Sequence, residues 1–427
     1  MWRTVRNLYF KYYYSRHIGS RYCEMANQYH LVSKRRIYRF NFCRNDAASY
    51  SSDAFGQFLN NAFLGLSKKL QEAATLPFSH NMNSLNPFKL VAEELSGIAK
   101  SFEEAVAVNH PVLQRAASYF LNITGKRFRP TVVILMAYAV NASNSNLMDS
   151  TNSRVSHESP SVKSSPHILP SQLKLAEITE LIHVASLLHD DVIDVADTRR
   201  GVKSVNALFG NQLSVLAGDF LLSRASVSLA RLRNCDVVEM LSTVIEHLVH
   251  GEVLQMTVDE GNSNDKLEVY LQKTFLKTAS LIANSCQAVA LLSNCPKEIV
   301  KVAFEYGRHL GLAYQLMDDA LDFTGSSTSL GKPALADIHQ GTLTAPVLFA
   351  MEQYPEIRDY AKRRFQRPDD ISKTLLAIEN SKGIERTVDL AKEHCYLAKE
   401  GIQQTLQDTS YRQALLEMAD FVVTRKQ

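Results

Sequence analysis

Two stretches of this chain carry the same acidic spacing inside apolar sequence: Asp190, Asp191 and Asp194 within ASLLHDDVID, and Asp318, Asp319 and Asp322 within LAYQLMDDALDF. On an α-helix each residue advances roughly 100°, so positions i and i+4 fall within about 40° of each other and share a face. Carboxylates repel one another and resist burial, so apolar flanks call for a compensating cation. Two such faces turned toward each other make an oxygen-rich site of the kind Mg²⁺ takes, completed by phosphate oxygens of a substrate. A single copy reads equally well as a solvated acidic helix face; the repetition is what turns the reading toward metal.

The sequence around these clusters predicts an all-α bundle. From Pro87 onward, LVAEELSGIAKSFEEAV spaces its apolar residues by three and four, with acids on the other side. QLKLAEITELIHVASLLHDDVID, QLSVLAGDFLLSRASVSLARL and VVEMLSTVIEHLVHGEVLQM are each long enough for a full-domain helix. Glycine is sparse, 17 in 427 residues, and no short β-rich runs alternate with the helices, which argues against a parallel sheet. One helical domain is expected over residues 76–427, interrupted by a Ser/Asn/Pro-rich loop at about 141–170.

Residues 1–75 read differently. Arg3, Arg6, Lys11, Arg16, Arg21, Lys34, Arg35, Arg36, Arg39 and Arg44 are accompanied by a single acid, Glu24, with aromatic residues between them. That pattern is expected of a mitochondrial presequence followed by a connector. A nucleic-acid or membrane-binding arm has the same composition, and the serine-rich AASYSSDA at 47–54 leaves a plastid signal open. A net charge of +3 gives no argument for nucleic acid. No charge-free apolar run of ~18 residues is present, so no transmembrane segment is expected, with peripheral membrane contact left possible. The cysteines, Cys23, Cys43, Cys235, Cys286, Cys295 and Cys395, show no CxxC spacing and predict neither zinc nor a disulfide framework.

Basic and polar residues gather around the acidic clusters. GKRFRP places Lys126, Arg127 and Arg129 beside a glycine, where backbone and guanidinium together suit diphosphate oxygens. DTRRG adds Arg199 and Arg200 just past the first cluster, and such arginines are otherwise ordinary surface ion pairs. KTFLKTASL offers Lys277 and Thr278; Gln315 precedes Asp318; Lys332 follows the second cluster in SLGKPALADI. His183 lies about two turns before Asp190, on roughly the same face. The combination fits ionisation of an allylic diphosphate: acids hold Mg²⁺, cations neutralise the departing diphosphate, and apolar helices exclude water from a carbocation.

With these motifs in this order, the chain resembles the trans-prenyl diphosphate synthases over roughly Pro87 to the C-terminus, and most closely the long-chain polyprenyl synthases of ubiquinone side-chain synthesis. The resemblance implies an isoprenoid-synthase bundle with a central cavity, usually homodimeric, with a heteromer also open. It implies that Asp190, Asp191, Asp194, Asp318, Asp319 and Asp322 bind Mg²⁺ and, with Lys277, act in catalysis. Arg199, Lys277, Thr278, Gln315 and Lys332 match allylic-substrate positions; Lys126, Arg129, His183 and Arg200 match positions that hold isopentenyl diphosphate. The implied product is solanesyl- or decaprenyl-length, built on farnesyl or geranylgeranyl diphosphate.

Two departures and one specificity feature stand out. Val195 stands where relatives often carry a further Asp, and the loop DIHQGTLTAP has Thr342 where short-chain relatives carry a lysine. Ala185 and Ser186, one turn before Asp190, are small, so the cavity is expected to stay open to long chains. The alternatives from other classes are a class I terpene cyclase, a non-catalytic subunit of a heteromeric synthase, and a helical membrane-surface scaffold.

Overall fold

The computed structural model describes residues 85–106, 119, 127–144, 167–199, 201–257, 267–324 and 335–425. The expected presequence, the loop centred on 145–166, and Lys126, Arg200 and Lys332 lie outside them.

The described chain is helical, as its periodicity predicts. In chain order it forms α1 (Pro87–Leu90), α2 (Ala92–Val106), α3 (Phe128–Ser143) and α4 (Pro170–Ile193). A small antiparallel hairpin follows, β1 (Thr198–Arg199) with β2 (Val202–Lys203), pairing Thr198 with Lys203 and Arg199 with Val202. Then come α5 (Val205–Phe209), α6 (Asn211–Arg231), α7 (Cys235–Thr257) and α8 (Leu267–Thr274), which runs through a π-helical turn (Phe275–Ala279) into α9 (Ser280–Leu292). α10 (Lys297–Thr324), α11 (Ala336–His339), α12 (Ala345–Met351), α13 (Ile357–Lys362), α14 (Pro368–Asn380), α15 (Gly383–Thr405) and α16 (Ser410–Thr424) complete it.

α3 and α9 are apolar almost all round, and that is why they lie at the centre. Thr131–Ala137 and Ala139–Ala142 are buried on α3, as are Ser280–Ala283 and Ala288–Ala290 on α9. α4 packs on α6, α3 and α9, while α10 packs on α9 and α15. The start of α4 is pinned by a buried amide pair. Gln172 Nε2 donates to Asn141 Oδ1 (3.0 Å) and to the Val289 carbonyl (2.8 Å), and Asn141 Nδ2 donates back to Gln172 Oε1 (2.8 Å). Satisfied buried amides of this kind fix one register among three helices.

The crossing of α10 over the π-turn and α9 is unusually close because small residues face each other. A Cβ built on Gly307 would lie 2.7 Å from Ala283 Cα, and one on Gly311 would lie 2.6 Å from Ala279 Cα. That approach brings Thr278 of the π-turn to Gln315, one turn before the second acidic stretch of α10.

Two segments, Asn211–Arg231 and Leu267–Leu292, are long and apolar enough to cross a membrane by length and composition. Neither is charge-free: the first carries Asp219, Arg224 and Arg231, the second Glu268, Lys273 and Lys277. The second is mostly buried in the bundle and the first mostly is not. The four described cysteines, Cys235, Cys286, Cys295 and Cys395, are free thiols.

Candidate active site

Both acidic stretches lie at helix C-termini, where the backbone dipole is negative and favours cations. Asp190 and Asp191 fall in the last turn of α4 and Asp194 is its C-cap residue. The helix stops in a Schellman arrangement: Ala196 N–H donates to the Asp191 carbonyl (2.9 Å) and Val195 N–H to the Val192 carbonyl (3.4 Å). Val195 takes the left-handed position at φ 52°, a place normally given to glycine or asparagine. Asp318, Asp319 and Asp322 occupy the last two turns of α10.

The six carboxylates separate by burial. Asp191 is 0% exposed and held by Arg199, whose Nε lies 2.9 Å from both its oxygens and whose Nη2 lies 2.6 Å from Oδ1. The β1–β2 hairpin turns Arg199 back onto α4 for this contact. Asp319 is likewise buried, accepting from Tyr270 Oη (2.6 Å) on one oxygen and from Gln315 Nε2 (2.9 Å) on the other. Asp322 is buried and accepts from the Asp337 backbone N–H at 3.3 Å. Asp190, Asp194 and Asp318 retain solvent access.

Burial and like charge push these acids upward. Asp190 rises to about 6, from burial first and then from Glu252 and Asp194, with Lys277 and Arg199 opposing. Asp319 rises to about 7, from burial first and then from Asp337, against the hydrogen bonds of Tyr270 and Gln315. Burial also raises Asp194. Carboxylates held this reluctantly as anions, at two helix C-termini, fit a divalent cation. Among the described residues no three or more His, Cys, Asp or Glu side chains form a ready-made metal cage.

The π-turn joins the two clusters. Lys277 Nζ contacts Glu252 Oε2 (2.5 Å) and Gln255 Oε1 (3.2 Å) on α7. Burial works against its charge, but Asp190, Glu252 and Asp194 outweigh it and hold the ammonium pKa above its ordinary value. Thr278 Oγ1 donates to Gln315 Oε1 (3.1 Å), and Gln315 in turn donates to Asp319. Lys277 thus feels the charges of the first cluster, and Thr278 is linked through Gln315 to the second.

The remaining expected residues are placed as follows. Arg129 Nη1 lies 2.9 Å from His183 Nε2, and the buried Arg129 Nε has no acceptor. Ala185 is fully buried, and half-buried Ser186 donates to the His183 carbonyl at 2.9 Å.

Comparison with known proteins decides what this arrangement belongs to. Residues 110–378 match the Polyprenyl synthetase family model. The chain belongs to the polyprenyl synthetase family. It is 47% identical over 360 residues to Solanesyl-diphosphate synthase 1, mitochondrial, of Oryza sativa subsp. japonica, covering 81% of this chain and 80% of that protein. Solanesyl diphosphate synthase 3, chloroplastic/mitochondrial, of Arabidopsis thaliana is 44% identical, covering 88% of this chain and 86% of its own. The fold matches the crystal structure of the polyprenyl synthase from Caulobacter crescentus CB15 complexed with calcium and isoprenyl diphosphate, with a TM-score of 0.69 and 29% identity. That match covers 80% of this chain and 97% of the other. This polyprenyl synthetase is a prenyltransferase with the isoprenoid-synthase bundle that its sequence predicts.

Four of its site residues escaped the sequence reading. Glu252 and Gln255 sit in an ordinary amphipathic helix, and Tyr270 lies two turns before Lys277 without any acidic or basic neighbour pattern to mark it. Arg425 reaches Asp318 from the end of α16, where no local signal predicts it.

Proposed function

We propose that this polyprenyl synthetase is a mitochondrial, long-chain trans-polyprenyl diphosphate synthase that adds isopentenyl diphosphate units to a farnesyl or geranylgeranyl diphosphate primer. A solanesyl- or decaprenyl-length product would supply the ubiquinone side chain. The observation that carries the reading is the π-turn, which sets Lys277 against the first acidic cluster and Thr278 against the second. Only a substrate with charge to be held at both clusters, such as a metal-bridged diphosphate, uses that arrangement fully. The mitochondrial names of the rice and Arabidopsis relatives, with the basic, acid-poor first 45 residues, support the location.

Asp190, Asp194 and Asp318, the three acids with solvent access, would contact Mg²⁺ directly. Asp191, Asp319 and Asp322 would act as the buried acids that orient them. Once bound there, the metal supplies positive charge to the departing diphosphate. Lys277, Thr278, Gln315, Arg199 and Lys332 would grip the allylic diphosphate. Lys126, Arg129, His183 and Arg200 would hold isopentenyl diphosphate, with the unpaired Arg129 Nε a donor awaiting a phosphate oxygen. The apolar helix faces exclude water, and the leaving diphosphate accepts the proton lost on condensation. We propose a homodimer, because Val215, Leu216 and Val227 on α6 and Val249 and Val253 on α7 expose apolar side chains that a second copy would cover. Cleavage of a presequence within residues 1–75 would leave the helical domain of residues 76–427.

The test is to incubate protein lacking residues 1–75 with farnesyl diphosphate, radiolabelled isopentenyl diphosphate and Mg²⁺, then size the dephosphorylated products. A ladder ending near nine or ten isoprene units, absent from Asp190→Asn, is expected. Diphosphate release without elongation would move the assignment to a terpene cyclase, and activity only with an added partner would move it to a heteromer.

A further inference from the structure

We infer that Glu252 and Gln255 of α7 are positioning residues that hold the Lys277 ammonium off the acidic cluster and aim it at the allylic diphosphate. The inference rests on the proposed function for the identity of that ligand.

Lys277 ends a flexible four-carbon stem, and an ammonium left to itself beside Asp190 and Asp194 would settle on them. Those are the carboxylates proposed to bind the metal. α7 prevents that collapse in three ways. First, its backbone is pressed against the π-turn: a Cβ on Gly251 would lie 3.0 Å from Lys277 N, 3.1 Å from its Cβ and 3.2 Å from its Cα. Second, Glu252 supplies a carboxylate that is only 12% exposed, with Oε2 2.5 Å from Nζ. Third, Gln255, one turn beyond Gly251 on the same face, supplies Oε1 at 3.2 Å.

An ammonium has three N–H donors. Glu252 and Gln255 take two, which leaves one for a phosphate oxygen on the side that faces α4. The Glu252 carboxylate also offsets the Lys277 charge in part, which would ease its repulsion with a divalent cation held by the neighbouring acids. Fixing a long side chain before the substrate arrives spares the entropy of ordering it afterwards. In this reading Glu252 and Gln255 act through Lys277, the side chain they both contact.

A double-mutant cycle on the full chain tests this. Glu252→Ala, Glu252→Gln, Gln255→Leu, Lys277→Ala and Glu252→Ala with Lys277→Ala would be compared in two assays. One is equilibrium binding of farnesyl thiodiphosphate, an unreactive allylic analogue, with Mg²⁺; the other is steady-state elongation with each substrate varied. Glu252→Ala is expected to weaken the analogue and raise KM for farnesyl diphosphate by about tenfold, leaving KM for isopentenyl diphosphate within about twofold. Glu252→Gln, which keeps an oxygen for Nζ, should recover most of the loss. On the Lys277→Ala background, Glu252→Ala should cost less than about twofold. Additive losses, or equal losses for both substrates, would overturn the inference. If Glu252→Ala does not fold, Gln255→Leu carries the same cycle. Wild-type protein that binds the analogue but elongates nothing would refute the proposed function while leaving the clamp to be judged by binding.

Discussion

Arg425, the C-cap residue of α16, donates through Nη2 to Asp318 Oδ1 at 2.7 Å and lies over the Tyr314 ring with its guanidinium carbon 3.7 Å from the centroid. The same Nη2 also donates to the Tyr314 carbonyl at 2.7 Å, and the side chain is only 5% exposed. A nearly buried cation thus sits on the first acid of the second cluster, the place where a metal ion is proposed. Arg425→Gln is expected to destabilise the metal-free protein by about 1–3 kcal/mol, the usual worth of a charged hydrogen bond. The penalty should shrink when Mg²⁺ and inorganic pyrophosphate are present, since another cation then serves Asp318. Denaturant unfolding with and without the two additions measures this. An equal penalty under both conditions would show that Arg425 and the metal do not share Asp318.

Tyr270 is the hidden partner of the second cluster. Its hydroxyl donates to Asp319 Oδ2, and Tyr270→Phe removes that donor without changing shape. A buried carboxylate left one donor short costs about 1–3 kcal/mol, and elongation should fall by roughly tenfold or more as Asp319 loses its orientation. Thermal unfolding and kcat together check it; a stable, fully active Tyr270→Phe protein would contradict the role given to Asp319.

Val195 is strained at φ 52° in an otherwise regular helix stop. A β-branched residue fits the left-handed region poorly, while asparagine and glycine tolerate it. Val195→Asn is expected to stabilise the fold by about 0.5–1 kcal/mol, because the side chain is 76% exposed and no packing is lost. Unfolding midpoints compare the two proteins directly. This position is where the resemblance anticipates an aspartate, so the departure carries a backbone cost as well as a charge.

Chain length gives a fourth test. Ala185 is 0% exposed, so Ala185→Phe must displace neighbours, and overpacking of this kind costs about 1–3 kcal/mol. Half-buried Ser186, with only a local hydrogen bond to the His183 carbonyl, has more room to change. Either phenylalanine is expected to shorten the product, with Ser186→Phe the less destabilising. Chromatographic sizing that finds the wild-type length in both would remove this helix turn as a floor.

The helices and the two acidic clusters were legible because period 3.6 and the i, i+4 spacing are local properties. α4 and α10 end within a residue or two of their last acids. The residues that complete the site were not legible, for a common reason. Glu252 and Lys277 are ordinary helix residues until the π-turn and Gly251 bring their backbones together. Arg425 and Asp318 are separated by 107 positions, and nothing near either predicts the other. Four residues of hairpin, Thr198–Arg199 with Val202–Lys203, were too short to read, yet they decide that Arg199 grips Asp191.

His309 on α10 and His394 on α15 meet at 2.8 Å through their Nδ1 atoms, where these two helices pack together. Arg308 Nη2 donates to His309 Nε2 (3.2 Å), which makes Nε2 the acceptor and leaves the proton on Nδ1 to donate to His394. Both rings must therefore be neutral. Burial lowers the His309 pKa to about 4, with Arg308 and His394 adding to the shift and Glu305 opposing it. Burial and Arg308 also lower His394, with Glu393 opposing. A folded-state pKa below the unfolded value means that the unfolded chain binds more protons in acid. Stability from this pair is thus complete above about pH 6.5 and is lost progressively toward pH 4. The loss is therefore already under way at pH 5. Unfolding free energies of the wild type and of His309→Leu with His394→Leu, taken from pH 7.5 to 5, isolate the effect. The wild type should lose more stability than the double variant over that range, and parallel curves would show that the pair does not titrate as its geometry requires.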